Sequence, residues 1–219
     1  MRITIETGTP DEALESSPDG DWERVAALHA ASWRTAYAGI LPDSFLAGPL
    51  EAERRAEWHR RLTRPPAGSA LILATGEQVA DGLYGFAYLM PGEGGRILLD
   101  NLHVRPGHLG SGIGGVLLRE ALSWAARAHP GRDVYLEVLR DNTRAIAFYE
   151  RQGGVRTGED VARFGAGIEV PQYLYTWPWP RPSKPAPASA GDAAEPESEP
   201  GPGSRRDGSS SIQASTARS

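Results

Sequence analysis

The sequence predicts an α/β fold in a single domain, and three observations carry that reading. Short β-branched or apolar runs alternate along the chain with longer stretches that repeat apolar residues at helical spacing. One strand runs straight into a glycine-rich turn and then a helix, at Ile97 to Ala128. Hydrophobic residues make up 40% of the 219 positions, enough to bury one substantial core over the roughly 180 residues that precede a low-complexity tail.

The elements follow in order. Residues 3–7 read as a first strand. Asp21 to Tyr37 is a helix that Asp21 is placed to cap, with Trp22, Val25, Leu28, Ser32 and Trp33 along one side. Pro42 interrupts, and a second helix runs from Leu50 to Leu62. On it Arg54, Arg55, Arg60 and Arg61 alternate with Glu51, Glu53 and Glu57, the pattern of a solvated helix face. Residues 70–74 and 83–90 are strands joined by a turn holding Asp81-Gly82. Residues 97–104 form a fourth strand, whose alternation stumbles at Asp100-Asn101 where a bulge fits. Residues 112–128 are a long helix and 134–139 a fifth strand. Asn142 to Gln152 is a helix closed by Gly153-Gly154, and Tyr173 to Trp177 closes the sheet. The stretch between those last two is left unassigned.

From Pro180 onward proline, serine, alanine, glycine and charged residues dominate, and Ile212 is the only large aliphatic. A segment so poor in apolar surface cannot offset its ordering entropy, so the expected division is a folded domain over 1–180 and a disordered tail over 181–219. With no cysteine, a disulfide framework, a thiol nucleophile and a thiolate metal site are all excluded. No two histidines stand four apart, and no metal is expected. A net charge of −5 argues against a nucleic-acid partner. The first residues lack a signal-peptide core and no run is long enough to span a membrane, so the expectation is a cytoplasmic protein with no membrane partner.

The chemistry starts at Leu109-Gly110-Ser111-Gly112-Ile113-Gly114-Gly115. Glycines let the main chain pass close to a bulky anion, and the helix that follows offers unpaired N–H groups and the positive end of its dipole. That is a cradle for a phosphate or pyrophosphate. A P-loop needs a lysine after its last glycine, where this chain has Val116. A dinucleotide-binding unit fits Gly110, Gly112 and Gly115, with Glu137 about 20 residues on. It also needs further strand and helix units for which too little foldable chain remains.

Two separate segments resemble the GNAT-type N-acetyltransferases. Residues 109–114 match that family's Arg/Gln-x-x-Gly-x-Gly/Ala loop at every position except the first, Leu109. Asn142-Thr143-Arg144-Ala145-Ile146-Ala147-Phe148-Tyr149-Glu150-Arg151-Gln152-Gly153-Gly154 resembles its second signature. The resemblance implies a mixed, mostly antiparallel sheet whose fourth and fifth strands splay apart. It implies acetyl-CoA as co-substrate, with pyrophosphate on the loop and backbone groups of Leu102, His103 and Val104 facing the acetyl and pantetheine portions. Asn142 and Tyr149, two helical turns apart, would address the same cofactor. A tyrosine hydroxyl, protonated at neutral pH, suits Tyr149 to protonate the departing thiolate. Asp100 and Glu137 flank the implied splay and are the candidate bases for the amine. His103 is a further candidate, or a residue at a strand interface. Trp33, Arg34 and Tyr37 are the candidate acceptor wall. The function implied is acetyl transfer to a primary amine of a small molecule or peptide, with a non-catalytic acyl-CoA-binding module as the alternative. A homodimer is left open.

Overall fold

A computed structural model describes residues 3–8, 21–48 and 50–179; the predicted tail lies outside them. Seven strands form one sheet: β1 (Thr4–Gly8), β2 (Ala70–Thr75), β3 (Leu83–Pro91), β4 (Ile97–Val104), β5 (Val134–Leu139), β6 (Val155–Phe164) and β7 (Ile168–Trp177). Five α-helices accompany them among the described residues: α1 (Asp21–Ala36), α2 (Asp43–Leu46), α3 (Leu50–Thr63), α4 (Ile113–Ala128) and α5 (Thr143–Arg151). The strand order is β1-β2-β3-β4-β5-β7-β6. Every neighbouring pair is antiparallel except β4 and β5, which run parallel. No helix among the described residues is long and apolar enough to cross a membrane.

Both faces of the central strands are covered, which is why β2 and β3 read as nearly continuous apolar runs. On β2, Ile72 and Ala74 join the core under α4, with Leu117, Leu118, Ala121 and Ala125. Leu71 and Leu73 face the other way, into a core shared with Val25 and Leu28 of α1 and with Trp58 and Leu62 of α3. Trp58 is fully buried, and truncating such a ring to alanine costs about 3–5 kcal/mol.

Two elements depart from expectation. The unassigned stretch holds β6 and the first half of β7, which pair from Val155↔Thr176 to Phe164↔Ile168 around a 3-10 turn at Gly165–Gly167. The apolar residues of β6 are sparse because it is the edge strand and largely exposed. The other is α2, a single turn between Pro42 and the second helix whose four residues are too short for a periodic signal.

The fourth strand carries the bulge foreseen for it. Tyr88 pairs with Asn101 and Leu89 with Leu99, so Asp100 is passed over in the ladder. On its other edge β4 pairs with β5 only at Ile97↔Val134 and Leu98↔Tyr135. Beyond Leu98 the two parallel strands separate, and the site occupies that gap.

Candidate active site

Where β4 and β5 part, a cavity of about 900 Å³ opens. Leu102, His103 and Val104 line one side, Leu136 and Val138 the other, and Asn142, Ala145, Phe148 and Tyr149 of α5 contribute as well. The loop from Leu109 to Gly115 lines it too. Gly110 and Gly112 have φ of +85° and +87°, where a side chain is strained, and a Cβ at either would meet nothing within 4 Å. The main chain is therefore laid bare to the cavity. Gly112 caps α4 without any side-chain hydrogen bond, and Val116 N–H is bonded to the Gly112 carbonyl at 3.2 Å. The N–H groups of Ile113, Gly114 and Gly115 come before that first turn closes, as an anion seat requires. Arg119, Arg144 and Arg151 lie in the same wall and were not singled out from sequence. Leu109 is 42% exposed there and supplies no polar group.

A second cavity, about 190 Å³, lies against the first. Tyr37, Leu99, Asp100 and Glu137 belong to the walls of both. Trp33, Phe45 and Phe164 form an aromatic side, with Trp33 and Phe164 ring centroids 5.9 Å apart. Arg54 and Arg61 correct the expectation of a solvated helix face: each is 6% exposed. Their guanidinium groups bracket Glu57, at 2.7 Å and 2.8 Å, and Arg61 goes on to pair with Asp100. Turned inward, these charges are compensated among themselves rather than by water.

The two candidate bases differ in company. Asp100 is held by the Arg61 guanidinium and by Asn101 Nδ2 at 2.6 Å. Glu137 accepts one hydrogen bond, from Gln172 Nε2 at 3.0 Å. Burial pushes the Glu137 carboxyl above its ordinary range, and the nearby carboxylates of Asp160 and Asp100 push the same way. Glu137 thus has one neutral hydrogen-bond partner where Asp100 is held by a cation.

Tyr149 packs against Phe148, Tyr175 and Trp177. Burial raises its phenol above the usual tyrosine value, and the neighbouring Tyr37 phenol adds to the rise. Burial pushes Tyr37 itself up to about 12. Both hydroxyls hold their protons at neutral pH. Asn142 caps α5, its Oδ1 accepting from Ala145 N–H at 3.3 Å. His103 shares a hydrogen bond with Ser32 Oγ at 2.9 Å and lies 4.5 Å, ring to ring, from His29. Burial lowers its pKa to about 4, so the ring is neutral.

Asp100, Glu137 and Tyr37 thus meet at the junction of the cavities. Trp33 stands in the smaller cavity, and Leu102, His103, Val104, Asn142, Tyr149 and the glycine loop in the larger. Arg34 does not join them. Its side chain donates to the Leu46 carbonyl and pairs with Glu51, outside both walls.

A family model described as "Acetyltransferase (GNAT) family" matches residues 22–154. The chain belongs to the GNAT acetyltransferase family. Among curated relatives, a probable N-acetyltransferase of Mycobacterium tuberculosis is 29% identical over 135 residues, which cover 60% of this chain and 73% of the relative. A streptothricin acetyltransferase of Streptomyces lavendulae is 38% identical over 81 residues, 36% of this chain and 42% of its own length. Among solved structures, the PaiA N-acetyltransferase of Thermoplasma acidophilum in complex with coenzyme A aligns with a TM-score of 0.55 at 20% identity. That alignment covers 82% of this chain and 100% of the other. The structure of yncA from Salmonella typhimurium with its cofactor acetyl-CoA gives 0.56 at 15% identity, covering 86% and 100%. At such identities these two structures speak for the fold.

The GNAT match ends at Gly154, before β6 and β7. Those strands nevertheless supply Ala162, Arg163, Phe164 and Gln172 to the smaller cavity. The sequence reading missed all four.

Proposed function

We propose that this protein transfers an acetyl group from acetyl-CoA to a primary amine by direct attack within a complex holding both reactants. The observation that carries the reading is the meeting of a large, backbone-lined cavity with a small, side-chain-lined one at a carboxylate whose pKa is raised. One cavity fits an extended nucleotide thioester, the other a compact amine. The open glycines and the free edge of β4 fit the co-substrate: nothing fills the space a Cβ would take at Gly110 or Gly112. Acetyl-CoA, when bound, supplies the activated acetyl thioester.

The protein's own groups divide the work. Backbone N–H groups of residues 113–115 hold the pyrophosphate, aided by Arg119, Arg144 and Arg151. The β5-facing edge of β4 past Leu98 has no strand partner among the described residues, so the main-chain groups of Leu102 to Val104 on that edge are free to orient the acetyl and pantetheine portions. Glu137 accepts the proton of the incoming ammonium, directly or through a water. Tyr149 keeps a proton on its phenol oxygen for the departing sulfur. Its raised pKa makes full transfer uphill, so it works chiefly as a hydrogen-bond donor. Asp100 holds Arg61, and so the wall, in place. Asn142 orients the cofactor with its amide nitrogen, its oxygen being spent on the helix cap.

The test is release of free thiol from acetyl-CoA against a panel of primary amines, beside calorimetric titration with acetyl-CoA alone. Amine-dependent release at roughly 1 s⁻¹ or more, as for ordinary enzymes, is expected. Tight binding without release for any amine would leave the acyl-CoA-binding module instead.

A further inference from the structure

Two buried donors on residues in the wall of the smaller cavity have no hydrogen-bond partner among the described residues. The Trp58 indole can only donate, and its Nε1 gives a hydrogen bond to His29 Nδ1 at 2.9 Å. Nδ1 therefore presents its lone pair. His29 is neutral, because burial first and then the nearby His103, Arg54 and Arg61 hold its pKa well below the usual value. The proton of the neutral ring must sit on Nε2, and Nε2 is buried without a hydrogen-bond partner. His29 lines the cavity while Trp58 does not. Nδ1 is thereby spent on the buried tryptophan, and the N–H left over belongs to a ring that lines the cavity.

Arg54 is the second case. Its guanidinium pairs with Glu57 and lies over the Trp33 ring, 4.7 Å from the centroid, yet its Nε is buried and unpartnered. Because Glu57 offsets the charge, Arg54 offers the cavity a directed N–H more than a net positive field. Trp33 joins the two donors, since the His29 and Trp33 rings are 5.3 Å apart. Neither His29 nor Arg54 reaches the larger cavity, whereas Glu137 lies in both. The smaller cavity's wall also carries Glu53, Glu57 and Asp100. Glu57 and Asp100 are compensated by Arg54 and Arg61, which leaves Glu137 as the carboxylate without a cation at the junction, among the described residues, and the two N–H donors away from it.

We infer that the acceptor is an amine bearing a second, oxygen-containing group, a carboxylate or a carbonyl as in an amino acid or its amide. That oxygen accepts from His29 Nε2–H and Arg54 Nε–H while the amine faces Glu137. The inference rests on the acetyl-transfer reading for which end carries the amine. The grip on the oxygen stands on the two donors. A site built to hydrogen-bond such a group rejects analogues that lack it, because its own buried donors are then left unpaired.

The experiment titrates the full-length protein, with coenzyme A present, with matched triplets. Each comprises an α-amino acid, its primary amide and the corresponding decarboxylated amine, for alanine, leucine, phenylalanine and lysine. In at least one triplet the acid or the amide should bind tenfold or more tighter than the plain amine. Preference for the acid over the amide assigns a carboxylate, and parity assigns a carbonyl oxygen. His29→Asn keeps an oxygen for Trp58 and removes the Nε2 donor, so the preference should collapse by at least tenfold. His29→Gln, which places an amide N–H near the Nε2 position, should restore part of it. Equal affinity within every triplet, or no binding by any member, would overturn the inference. Binding preference without thiol release for any amine would contradict the acetyl-transfer reading and leave the oxygen grip standing.

Discussion

The two cavities are made of different material. The larger is main chain in its decisive parts: glycines in left-handed conformation, the first N–H groups of α4, and the edge of β4 that a bulge and a diverging neighbour leave unpaired. The smaller is mostly side chain, with aromatic rings from α1, α2 and β6, guanidinium groups from α3 and carboxylates from α3, β4 and β5. A backbone surface recognises what its ligands share, such as phosphates and amides. A side-chain surface is free to differ from one protein to the next, so specificity should sit on its side of the junction.

Substitutions at the junction should have the largest effects. Glu137→Gln is expected to lower turnover by roughly 10² to 10⁴-fold, as for loss of a positioned base. Because burial raises the Glu137 pKa in the folded protein, the ionised carboxylate destabilises the fold at neutral pH. The amide should therefore leave the melting temperature unchanged or higher, as scanning calorimetry would register. A large loss of stability together with activity would make Glu137 a structural residue.

On the cofactor side, Tyr149→Phe keeps the ring stacking and removes one donor. Turnover at neutral pH should fall by roughly 10²-fold with little change in acetyl-CoA affinity. Comparable turnover would show that Tyr37 or water does this work. Gly112→Val tests the backbone cradle itself. With φ at +87° the change should cost about 1–2 kcal/mol and suppress thermal stabilisation by acetyl-CoA. An undiminished ligand-induced shift would move the anion seat away from the loop.

The smallest effect concerns the two histidines between the cavities. Their folded-state pKa values lie below the unfolded value of 6.5, His103 at about 4. The stability they contribute is present above pH 6.5 and is lost as pH falls toward 4. Thermal melts across that window should show the loss, and His103→Gln should flatten part of the slope.

What could be read from the sequence follows the same division. The glycine loop, the bulge at Asp100 and the pairing of Asn142 with Tyr149 are local patterns, and each was visible within a dozen residues. The acceptor wall was not. Arg54 and Arg61 look solvated on α3 because helical spacing does not reveal that Glu57 draws both inward. Phe164 and Gln172 come from a hairpin whose exposed edge strand carries little hydrophobic signal. Arg34 was expected in the wall from its proximity to Trp33 and Tyr37, yet its place on α1 turns it toward Leu46 and Glu51.

In the proposed reaction acetyl passes directly from one cavity to the other, and the chain has no cysteine to carry it covalently. Initial rates measured while varying acetyl-CoA at several fixed concentrations of an accepted amine test that most directly. Intersecting double-reciprocal lines, with no thiol released when amine is omitted, are predicted. Parallel lines with a stoichiometric burst of thiol in the absence of amine would establish an acetyl-enzyme intermediate and contradict it.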